Sequence, residues 1–140
     1  MTKIMLLVTI TLLLSTVSGV MALEKPALIG VWQLVENAKD SEGNESPFVS
    51  NQIFFSADGT MESENMPVAF HYKINPDKTE LENALARNPE LKGMDIMLII
   101  VGESPQDWSR PTIVYGVELK KDLLSLKISG YTPARYKKLK

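Results

Sequence analysis

His71 is the one histidine in a chain of 140 residues, and no cysteine stands with it. A lone histidine can serve as a general base or a haem ligand. Strand alternation, however, puts His71 on a face with Lys73, opposite Phe70 and Tyr72, which predicts a solvated outer face. Two carboxylate pairs are the next candidates. Glu62 and Glu64 share one face of a strand, a spacing from which acid–base work or a Ca²⁺ site could be built. Thr60 lies on that face too, so it reads as the wet side of a hairpin. Glu80 and Glu82 do not face each other on a helix. No Gly-x-Ser-x-Gly, Ser-x-x-Lys, His-Glu-x-x-His or Gly-x-x-x-x-Gly-Lys occurs. With one imidazole and no thiol, the common catalytic repertoires are thin. The chain reads as non-enzymatic, with no metal site and no cofactor called for.

Aromatic side chains are the stronger candidates, for binding rather than catalysis. Val68 to Ile74 alternates clearly, and puts Phe70 and Tyr72 on one face. Phe55 and Tyr115 fall on the apolar faces of two further strands, Gln52 to Ser56 and Thr112 to Leu119. These four read as inward, either as plain core or as the lining of a site. Trp108 lies in the Gly102–Pro111 loop, between Pro105 and Pro111. It is placed to close a barrel mouth or to anchor a partner.

The elements that must hold these residues are mostly strands. Ile29 to Glu36 is the first, and Thr60 to Glu64 follows the hairpin turn Ala57-Asp58-Gly59. Met94 to Val101 is apolar apart from Asp95 and rich in β-branched residues. That pattern suits a strand covered on both faces; periodicity alone leaves a buried helix open, and the β-branched side chains favour the strand. Leu123 to Ser129 pairs back on Thr112 to Leu119 across Lys120-Lys121-Asp122. Ala134 to Leu139 reads as a short basic edge strand. Asp77-Lys78-Thr79-Glu80 is a capping box, and it opens a short amphipathic helix from Lys78 to Asn88, closed by Pro89. Seven or eight short strands joined mainly by hairpins predict a closed barrel or a sandwich.

The first 22 residues have a different composition. Lys3 is followed by an uncharged run from Ile4 to Val17, then by Ser18, Gly19 and Val20-Met21-Ala22. That is the layout of a secretory signal peptide, with cleavage expected after Ala22. An uncleaved anchor is the alternative, since Ile4 to Leu23 carries no charge. The strongly apolar part falls within the ~7–15 residues usual for a signal peptide, which favours cleavage. The mature domain is then residues 23–140, periplasmic or secreted, with no stable membrane insertion. It carries 14 basic and 17 acidic side chains. A net negative charge argues against nucleic acid as a partner. Leu123 to Lys140 nevertheless contains five basic residues and no acid, which is either an ordinary solvated strand or a tail for phosphate groups.

Taken in order, Gly30-Val31-Trp32, then Phe55-Ser56-Ala57-Asp58-Gly59-Thr60, then Leu124-Ser125-Leu126 and Arg135-Tyr136-Lys137, resemble the small bacterial lipocalin-like domains. The resemblance spans nearly all of the mature chain. It implies an up-and-down barrel of about seven to eight strands with one short helix and an interior able to hold a small apolar molecule. It also implies that Trp32, entered through Gly30, packs at the closed end. The chain departs from the family in being short, in lacking its disulfide and in lacking a Thr-Asp-Tyr motif. A second resemblance, to exported stress-associated domains, is fainter, because their Gly-Cys-Asn signature is missing. Two functions follow as expectations. One is a carrier or sensor binding a small hydrophobic or amphipathic ligand through Phe55, Phe70, Tyr72, Tyr115 and Trp108. The other is a solid-core module that binds a protein or envelope polymer by its surface.

Overall fold

A computed structural model describes residues 23–47, 49–64, 66–102 and 107–139. The apolar leader 1–22, Pro105 and Lys140 lie outside the described residues. One helical turn, α1 (Lys25–Leu28), leads into β1 (Gly30–Glu36), β2 (Gln52–Phe55), β3 (Thr60–Ser63) and β4 (Met66–Ile74). Helix α2 (Lys78–Arg87) and a 3-10 turn (Pro89–Leu91) follow. The chain ends with β5 (Asp95–Val101), β6 (Ile113–Lys120), β7 (Leu123–Lys127) and β8 (Ala134–Lys138). Every strand pairs antiparallel with the next, and β8 pairs with β1 from Trp32–Lys138 to Glu36–Arg135. The result is a closed up-and-down barrel of eight strands.

Closure corrects one expectation. The basic segment from Ala134 is not an edge strand, because its backbone is bonded to β1 on one side and β7 on the other. Two of the three charges of β8 have local partners. Arg135 lies 3.5 Å from Glu36, and the Lys138 ammonium sits 5.6 Å from the Trp32 ring centroid.

Local chemistry sets the hairpins. Gly59 takes φ 91°, which a side chain would strain. Asp58 locks that turn by accepting from the Thr60 N–H at 3.0 Å and its hydroxyl at 2.7 Å. These bonds hold the Asp58 carboxyl below the ordinary range, the Thr60 hydroxyl contributing most. The β6–β7 turn instead puts Lys121 at φ 53°. At α2, Asp77 accepts from the Glu80 N–H at 2.8 Å and Glu80 accepts from the Asp77 N–H at 2.9 Å. The Glu80 carboxylate also meets Lys73 of β4 at 2.7 Å. One side chain thus caps the helix and ties it to the barrel wall.

The core has two parts because β5 is buried on both faces. Met97 and Ile99 point into the barrel; Ile96 and Leu98 point out. The inner part gathers Trp32, Phe55, Phe70, Tyr72, Leu124 and Tyr136 with their neighbours. The outer part is Ala84, Leu91, Ile96 and Leu98, with Leu81, Leu85, Met94, Trp108 and Val114 packed against them. Helix α2 therefore covers the outer side of β5 and β6, not an end or an edge of the sheet. Gly116 lets the preceding turn approach, since a Cβ there would lie 2.6 Å from Met94 Sδ.

Candidate ligand cavity

The two ends of the barrel differ. At one end α1 acts as a plug, with Leu28 wholly buried and Leu23 nearly so. Trp32 is also wholly buried, and its Nε1–H donates to the Leu28 carbonyl at 2.8 Å. Gly30, at φ 138°, turns the chain from the plug into β1. Asn75 donates to the Leu23 carbonyl at 2.9 Å, which holds the start of this segment.

Phe55 and Tyr72 fill the interior at this end. Their rings meet edge to face, with centroids 5.1 Å apart, a favoured aromatic geometry. The Tyr72 hydroxyl donates to the Ser56 carbonyl at 2.7 Å. Burial, and then the Asp58 charge, raises the Tyr72 pKa above the usual phenol value. Neither ring lines open space.

The other half of the interior is not filled. An open cavity begins there, lined by inward side chains of six strands; together with its extension outside the barrel it measures about 650 Å³, within the range of small-molecule sites. Ile53, Met61, Phe70, Ile113 and Ile128 supply apolar wall. Tyr115, Tyr131 and Tyr136 supply phenols, and Ser50 and Ser63, hydrogen-bonded to each other, supply a polar spot. The cavity is continuous over the rim. Val114 lines it as well, yet points opposite to Ile113 and Tyr115, so the space lies on both sides of β6. It crosses at Thr112 and continues along Asn83, Arg87 and Asn88 of the α2 end. Among the described residues, the inner lobe holds no charged side chain, and Arg87 is the one charged residue of the lining.

No family model, curated protein or solved structure matches this chain. What the cavity can do rests on its own residues.

Of the residues proposed from sequence, Phe70 and Tyr115 line the cavity, while Phe55 and Tyr72 pack beneath it. Trp108 stands outside the barrel in the cluster beside α2, with the Lys73 ammonium 6.0 Å from its ring. Its neighbour Ser109, not Trp108, reaches the cavity's outer lobe. His71 lies half-buried on the outer face, paired in register with Thr60 and Ile100. Glu62 is exposed on the outside of β3. Among the described residues no three His, Asp or Glu side chains gather as metal ligands.

The lining also contains residues that sequence reasoning did not nominate. Met61 and Tyr136 follow from strand alternation with Phe55 and Leu124 as neighbours in register. Ser50 and Tyr131 sit in connections without a period, and nothing in the sequence marks them. The Tyr136 hydroxyl donates to the Ser50 carbonyl at 3.1 Å. Burial raises the Tyr136 pKa, with Tyr115 a lesser cause, and burial alone pushes the Tyr115 phenol up to about 12. Both therefore stay protonated at neutral pH; the Tyr136 proton is engaged by the Ser50 carbonyl, and that of Tyr115 is not.

Proposed function

We propose that this chain is an exported, non-enzymatic, lipocalin-like protein that binds a small hydrophobic or amphipathic molecule inside its barrel. The observation that carries the reading is the unfilled half of the barrel, with apolar walls and a few phenol and hydroxyl groups, which forms the inner part of a cavity of about 650 Å³ that continues over the rim. Sites of this make-up bury most of a small ligand's surface and use the few polar groups to orient it. The closed barrel supports the same reading, because eight strands enclose just enough room for side chains or one small ligand. Here the side chains fill only the plugged end.

Export rests on the apolar leader 1–22 and on the small residue Ala22 before the expected cut. Leu23, immediately after that cut, is already packed in the core. No described helix is long and apolar enough to cross a membrane. The mature domain would then work in a periplasm or outside the cell. The alternative, a solid-core module that uses its basic surface, is less favoured by the geometry. Lys127 and Arg135 are engaged with Glu90 at 2.7 Å and with Glu36 at 3.5 Å.

Native mass spectrometry of the protein recovered from an exporting cell tests the reading directly. Loss of residues 1–22 and an adduct of a few hundred daltons, released on denaturation, are expected. A full-length chain would refute cleavage. A bare polypeptide that also fails to bind an apolar dye would refute the carrier.

A further inference from the structure

Three tyrosines are buried in the barrel, and two of them are satisfied by the protein. Tyr72 donates to the Ser56 carbonyl and Tyr136 to the Ser50 carbonyl. Tyr115 is only 8% exposed and points inward opposite Met97. It lines the inner lobe, and its hydroxyl has no hydrogen-bond partner among the described residues. That oxygen is not one of the sealed side-chain atoms either, so it opens onto the cavity. It is a donor that the protein leaves unpaired and that faces whatever occupies the cavity.

The surroundings define what acceptor fits. Ile53, Met61, Phe70 and Ile113 line the same lobe and make most of its wall apolar, with Ser50, Ser63, Tyr131 and Tyr136 as its other polar groups. Among the described residues the inner lobe offers no cation, and an unpaired carboxylate brought there from water would lose its hydration with no charge to replace it. A neutral oxygen carries a far smaller desolvation penalty and gains one hydrogen bond. We infer that the inner lobe takes, oxygen first, an uncharged apolar molecule bearing a carbonyl or ether-type acceptor, which the Tyr115 hydroxyl holds. This inference rests on the carrier reading and names the ligand's chemical class. It also assigns orientation: the oxygen lies at Tyr115 and the hydrocarbon runs toward the rim at Thr112.

Displacement of a neutral fluorescent dye, N-phenylnaphthylamine, from the purified mature protein tests it. Competitors are a medium-chain methyl ketone, the matching alkane and the matching carboxylate, on wild-type, Tyr115→Phe and Arg87→Gln proteins. The expected result is that Tyr115→Phe weakens the ketone about 3–10-fold, the range for one neutral hydrogen bond, and leaves the alkane unchanged. The alkane serves as the control for an intact cavity in the variant. An unchanged ketone affinity, or an equal loss for ketone and alkane, would overturn the inference while leaving the carrier intact. So would a carboxylate that binds wild-type protein more tightly than the ketone and loses that advantage in Arg87→Gln, since its head would lie in the outer lobe. Failure of the dye and all three competitors to bind would overturn the carrier reading itself.

Discussion

Raising the pH above 10 should destabilise this protein through Tyr115 and Tyr136 in particular. An unfolded phenol ionises near 10 and folded Tyr115 near 12. Between those values the unfolded chain has released a proton that the folded protein retains. Stability from this group is therefore complete below pH 10 and falls as pH rises through 12. Linkage puts the loss on the order of 1 kcal/mol at pH 11 and on the order of 2 kcal/mol at pH 12. Tyr136, raised first by burial and then by Tyr115, loses stability in the same direction, so the pair removes on the order of 2 kcal/mol at pH 11, a sizeable part of a typical 5–15 kcal/mol stability. Urea unfolding followed by tryptophan fluorescence, at pH 8 and pH 11, measures this for wild-type, Tyr115→Phe and Tyr136→Phe proteins. Each variant should lose on the order of 1 kcal/mol less than wild-type between the two pH values. Tyr136→Phe also gives up its bond to the Ser50 carbonyl, but that cost is the same at both. Comparing each variant's change cancels the deprotonation of lysines. A Tyr115→Phe protein that tracks wild-type at both pH values would refute the reasoning. It would mean that water in the cavity solvates the Tyr115 phenolate, so that burial does not control its ionisation.

Three further outcomes are expected. Leu98→Ala, at a wholly buried position between β5 and α2, should cost about 2–5 kcal/mol in urea unfolding; a smaller loss would mean that α2 is not firmly docked. Trp32→Phe leaves the Leu28 carbonyl without its 2.8 Å donor and opens space under the plug, and should cost about 2–4 kcal/mol by the same assay. Glu90 is held below its ordinary value first by its hydrogen bond to Lys127 and then by the Gly130 N–H, so its contribution is present above about pH 4.5 and lost as pH falls further. Glu90→Gln should therefore flatten the acid limb of a thermal-melting profile taken against pH, and an unchanged limb would count against the Glu90–Lys127 pair.

Strand existence was legible because a half-buried strand must alternate, and Val68 to Ile74 or Leu124 to Ile128 does so without interruption. The same rule marked β5 as covered twice, since Ile96 to Ile99 has no polar face. Helix α2 was legible from its capping box, a local exchange of hydrogen bonds between Asp77 and Glu80. The turn α1 was not foreseen, because one turn is too short to show a period. Alternation told which side chains point inward but not how far along the barrel each one lies. For that reason Phe55 and Phe70, alike in sequence pattern, part company: one packs under the plug and the other lines open space.

The sequence by itself determined the β class, the hairpin order, the capped helix and the apolar leader, since each depends on residues near one another in the chain. Only the tertiary structure decided that β8 returns to β1, because strand closure is a pairing between residues about a hundred positions apart. Only it decided that α2 and Trp108 cover the outside of β5 and β6. The cavity belongs to the same class of fact. It exists where Ser50, Met61, Tyr115 and Tyr136, from four separate segments, converge without filling the space between them, and no local pattern records a volume left empty.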